Sequence, residues 1–137
     1  MDLVLPDERT ASKLNVATED RVVYIGSLIC RDGAPALLHT ENLVYDPTRP
    51  LVESEMEVTS LDGLFSGNGR TDFKKGELSI HAAVLGDSEA ALLEVPVMSP
   101  AFRLEHLFFD FSDRIVSWGQ FLCRGDLLSF STRVGLW

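Results

Sequence analysis

Few side chains in this sequence stand where they could do chemistry. His39 and Glu41 lie two apart in "ALLHTENLVY", so an extended chain presents an imidazole and a carboxylate on one face, beside Leu37. His39 can donate to an anionic ligand; as a hydrogen-bonded structural histidine it needs no ligand at all. His81 in "SIHAAV" and His106 in "FRLEHLFFDF" fall among apolar residues, and both read as satisfied core histidines. No histidine pair has a metal-ligand spacing, so the sequence predicts no metal site and no cofactor. Nor is there a Gly-x-Ser-x-Gly elbow, a Cys-His spacing or a carboxylate pair with acid–base geometry, and nothing in the residues argues for an enzyme.

A second candidate is "FLCRGDLLSF", which contains Arg124-Gly125-Asp126, the tripeptide captured by cell-surface adhesion receptors. The structural reading is a tight hairpin turn between two apolar runs. Gly125 would supply a left-handed or strained position and Asp126 would bond local backbone groups. Arg124 then either contacts a ligand or ties the turn to a neighbouring carboxylate or carbonyl. An adhesion ligand must be exported, and "MDLVLPDERTASKLN" has no apolar core of signal-peptide length, so the expectation is a cytoplasmic protein with a turn at this point.

The elements that must position these groups are mostly strands. "RVVYIGSLIC" (21–30) is rich in β-branched and aromatic residues, Asp32-Gly33 marks a hairpin, and Ala36–Tyr45 returns. Pro47 and Pro50 break the chain, and Ser60 caps a helical turn in "SLDGLFSGNG". Further strands are expected over 78–85, 102–111, 114–123 and 127–134, joined in part by the short turns "SDR" and "RGD". Short helices are expected in "DERTASKL" (7–14) and "SEAALLEV" (88–95), the latter capped by Asp87 or Ser88. The fold class is α+β, one domain over 1–137 with an antiparallel sheet of about six strands. Alternation places Ile25, Ser27 and Ile29 on one face of their strand, and Ser117, Gly119 and Phe121 on one face of theirs. Gly119 leaves a gap that admits either a ligand or a packing neighbour.

Composition closes off other classes. With a net charge of −9 and scattered basic residues, the chain alone is a poor nucleic-acid binder. No apolar run approaches the ~20 residues of a membrane span. The two cysteines, Cys30 and Cys123, read as buried free thiols.

The order "DGAP", strand, Pro50-Leu51, "TSLDGLF", apolar strand, "EAALLEV" and closing "RGDLLSF" resembles the UTRA domain over about residues 11–134. This is the chorismate-lyase-like sensor of GntR-type transcription regulators of the HutC subgroup. The resemblance implies a sheet flanked by helices, a small-molecule effector pocket on the sheet, and a homodimer. It also implies a DNA-binding winged helix outside this chain, with residues 1–15 as linker and N-terminal helix. Members that bind phosphorylated sugars carry two arginines where this chain has Ser27 and Ile29, and glutamates where it has His39 and Ser117. Ser60, Arg124, Gly125 and Asp126 are kept. A phosphate wants cationic forks or backbone donors, so a less polar or weakly acidic effector is expected here. The candidate ligand-binding set is Ser27, Ile29, His39, Glu41, Ser60, Ser117, Gly119 and Arg124. The alternatives are a chorismate-lyase-like enzyme, by fold analogy alone, and an interaction module without a small ligand.

Overall fold

A computed structural model describes residues 2–46 and 74–136. Strands β1 (Asp2–Val4), β2 (Val22–Arg31), β3 (Ala34–Val44), β4 (Lys75–Val84), β5 (Pro100–Phe109) and β6 (Ile115–Arg124) form one antiparallel sheet. Among the described residues, helices α1 (Glu8–Leu14) and α2 (Asp87–Leu93) accompany the sheet in an α+β fold. The strand order is β1-β2-β3-β6-β5-β4.

The turns follow from their residues. Between β2 and β3, Asp32 (φ 52°) and Gly33 (φ 81°) are both left-handed, as a two-residue primed turn demands. Between β5 and β6, the Asp110 carboxylate accepts from the backbone N–H of Ser112 and of Arg114, and Asp113 takes a left-handed φ of 60°. Those bonds favour ionised Asp110 and hold its carboxyl below the usual range, the bond from Arg114 contributing most.

Both described helices lie on one face of the sheet. Asp7 caps α1, its carboxylate accepting from the Thr10 N–H at 2.7 Å, and Leu14 packs with Val22 and Trp118. In α2, Ala90 and Leu93 pack with Leu85, Ala101 and Leu122. The cap of α2 is Gly86, without a side-chain bond; Asp87 is already the first helical residue, so neither Asp87 nor Ser88 serves as the cap. On the opposite face, Leu37, Leu104, Phe121 and Cys123 form a second core.

Several expectations are corrected. Residues 127–134 form no strand. Because β6 lies between β3 and β5, a strand returning from it has no free edge to join. The Arg124-Gly125-Asp126 turn is therefore not a hairpin, and Gly125 is not left-handed. A Cβ at 125 would stand 2.9 Å from the Pro100 carbonyl, which also accepts the Gly125 N–H, so close backbone approach is what selects glycine. The sixth strand is instead β1, inside the segment read as linker and helix. Finally, Cys30 is exposed, unlike Cys123, and His81 is exposed rather than in the core, its Nε2 3.8 Å from Glu105. Ser60 and the proline-flanked stretch lie outside the described residues.

Candidate functional site

The register of three strands builds the site. On β3, Leu37, His39, Glu41 and Leu43 share the face opposite the helices. They stand across from Cys123, Phe121, Gly119 and Ser117 of β6. On the far side of β6, His106 of β5 is also paired with Gly119. Glu41, Gly119 and His106 thus form one transverse row. Gly119 has no side chain in the middle of that row, so the carboxylate and the imidazole meet across it.

They meet closely. His106 Nε2 lies 2.5 Å from Glu41 Oε1, and His39 Nε2 lies 2.9 Å from the same oxygen. With both rings donating from Nε2, one carboxylate oxygen accepts two N–H groups. The cluster is buried: relative exposure is 7% for His39, 0% for Glu41 and 1% for His106. Phe121 stacks on His39 with ring centroids 4.3 Å apart, and Phe108 and Phe121 flank His106. Three buried polar atoms on this face have no hydrogen-bond partner among the described residues: Glu41 Oε2, His106 Nδ1 and Ser117 Oγ.

The structure brings some of the sequence candidates together and separates others. His39, Glu41, Ser117 and Gly119 share the buried face. The space over Gly119 is filled: a Cβ there would stand 2.5 Å from Glu41 Oε1 and from the Thr40 carbonyl. Gly119 is therefore a packing accommodation. Ser27 pairs with His39 and Ile29 with Leu37, but both side chains are exposed toward the end of β2. Arg124 stands apart, its guanidinium committed to the Asp126 carboxylate (2.6 and 3.0 Å) and to the Pro35 carbonyl (3.1 Å). The bond from Arg124 holds Asp126 below the usual carboxylate range, and the same bond raises Arg124. In this tripeptide the arginine and aspartate close on each other, which is the turn-tying role and not the presentation an adhesion receptor requires. An open groove of about 420 Å³ runs along β2 and β3 beside Leu92. Its walls include Tyr24, Gly26, Leu38 and Thr40, of the helix face, together with Ser27 and His39.

Sequence reasoning missed His106 as a partner of Glu41. The two are 65 residues apart, so no linear spacing could reveal them. The signal available was the pairing of β5 with β6 across Gly119. Burial pushes the Cys123 thiol up to about 11.

The comparisons agree with this architecture. The UTRA domain model matches residues 1–129, and the chain belongs to that family. Its sheet flanked by helices is the chorismate-lyase-like arrangement. It is similar to a GntR-family transcriptional regulator from Enterococcus faecalis V583, with a TM-score of 0.78, 15% identity and coverage of 97% of this chain and 95% of that one. The effector domain of PhnF from Mycobacterium smegmatis gives 0.73 and 22% identity, covering 98% and 83%. The possible transcriptional regulator YydK from Bacillus subtilis gives 0.76 and 15% identity; 98% of this chain matches but spans only 58% of that protein. No curated protein matches the chain.

Proposed function

We propose that this chain is the small-molecule effector-binding and dimerisation domain of a HutC-type GntR regulator, acting in the cytoplasm. An attached winged-helix domain would read DNA, and an effector that prefers one dimer arrangement would bias how two such readers are spaced. Membership of the UTRA family supports the regulatory role. The observation that carries the effector reading is the buried polar row His39–Glu41–His106 with Ser117 beside it. Unpartnered polar atoms in an apolar surround are how a specific small-ligand site fixes its occupant. Ser27 and Ile29 bring no cation to this face, which favours a weakly acidic or hydrogen-bonding metabolite over a sugar phosphate. A dimer would cover exposed apolar surface on β4, the last strand of the sheet among the described residues, where Leu78 is 43% and Ile80 49% exposed.

A thermal-shift screen of the purified chain against organic acids, amino acids, sugar phosphates and chorismate tests this, because ligands of the folded state raise Tm by mass action. Hits among non-phosphorylated acids that vanish in Ser117→Ala are expected. A strong sugar-phosphate hit would overturn the ligand class. Silence across the screen would remove the sensor reading in favour of an interaction module, and pyruvate release from chorismate would establish the lyase instead.

A further inference from the structure

We infer that His39, Glu41 and His106 form a binding site for a first-row divalent metal ion, with zinc the best fit. The donor atoms of the three residues lie within 4.8 Å of one another, all three residues are buried, and they come from two strands held in register by a third. Two imidazoles and one carboxylate are a donor set that suits zinc, cobalt and iron(II), and they leave coordination positions for water or an outside ligand. Metal–ligand bonds of about 2.0–2.2 Å place neighbouring donors roughly 3.0–3.5 Å apart. The His39–Glu41 separation of 2.9 Å nearly satisfies this, and the His106–Glu41 separation of 2.5 Å reaches it by a small side-chain rotation. Phe108 and Phe121 supply the dry wall that lowers the local dielectric and strengthens ligation.

The hydrogen bonding points the same way. Both N–H donors converge on Glu41 Oε1 while Oε2 has no donor among the described residues, which leave the buried carboxylate only half compensated. A divalent cation would compensate it fully. Coordination through both Nε2 atoms moves each ring proton to Nδ1; on His106 that N–H finds no acceptor among the described residues, a cost that the charge compensation at Glu41 must exceed. His39 is the member with most solvent access, with 9% of its side chain exposed against 1% and 0% for the other two, and it marks the entry side.

The test needs only the metal, so it is decided separately from the effector screen. Chelator-treated, dialysed chain is titrated with Zn²⁺ by calorimetry and with Co²⁺ by visible absorption. One equivalent per chain is expected, with cobalt bands of four- or five-coordinate nitrogen–oxygen ligation and a rise in Tm. Glu41→Gln and His39→Ala should each weaken binding by more than about 10-fold, while His81→Ala, at the exposed histidine, should leave it unchanged. Should the site variants fail to fold, the cobalt spectrum of the unaltered chain still decides. Folded wild-type chain that takes up neither ion overturns the inference. So do site variants that bind as tightly as wild type, or binding abolished by His81→Ala.

Discussion

Replacing Gly119 by alanine would test the transverse row most directly. The added Cβ would stand 2.5 Å from Glu41 Oε1, 2.6 Å from Glu41 Cδ and 2.5 Å from the Thr40 carbonyl oxygen, where ordinary contact begins at 3.4 Å. The methyl group must therefore displace about 0.9 Å of its neighbours, one of them backbone. Overpacking on that scale costs about 1–3 kcal/mol. If the carboxylate swings away, the His39 and His106 N–H groups lose their acceptor, at about 1–3 kcal/mol each. The sheet can relax in part, so a net loss of about 3 kcal/mol is expected, a fall in Tm of roughly 10 °C for a chain of this size. Gly33→Ala is the control. At 33 the φ of +81° strains an alanine but nothing lies within 4 Å of its Cβ, so the cost should be only about 1 kcal/mol. Thermal and urea unfolding followed by circular dichroism measures both. A Gly119→Ala chain no less stable than Gly33→Ala would refute the clash, and with it the claim that glycine lets Glu41 reach His106.

Other expectations follow from single groups. Asp7→Ala removes the cap of α1 and should cost about 1 kcal/mol at pH 7, towards the low end because the site is exposed and salt-screened. The backbone bond from Thr10 holds the folded Asp7 carboxyl below its ordinary 3.8, so its contribution is present above that value. It is lost as pH falls through the folded value, and wild type and variant should converge in urea unfolding once the pH lies below that lowered value. A thiol reagent at pH 8 should label Cys30 at once and Cys123 only on unfolding, because burial keeps the latter thiol protonated to about 11; equal labelling of both would contradict this. Arg124→Ala should lower Tm more than Asp126→Ala, since only the former also removes the bond to Pro35. An immobilised adhesion receptor should capture neither the wild type nor Asp126→Ala.

Much of the sheet was legible because its strands carry period-two patterns bounded by clear turn residues. Asp32-Gly33 and the "SDR" turn announced two hairpins, and β2, β3, β5 and β6 lie close to their expected limits. The three-residue β1 carries no period to read, and its pairing with β2 is a tertiary choice. The run 127–134 alternates well enough for a strand, yet pattern says nothing about whether an edge is free, and β6 offers none. The site was half legible. Alternation alone joined His39 with Glu41 and Ser117 with Gly119. Joining those pairs, and adding His106 to them, required the strand order, which no local rule supplies.

The position of β6 also bears on how the protein is made. Strands β1 to β3 pair among themselves, as do β4 and β5, and among the described residues β6 alone joins the two groups. During vectorial synthesis both partial sheets leave the ribosome with an open apolar edge until residues 115–124 emerge. The long-range closure is then a late, entropically costly event. A nascent chain stalled before residue 115 would be a pair of sticky half-sheets in need of a chaperone, and Glu41 would wait without His106 until the final strand slid between them.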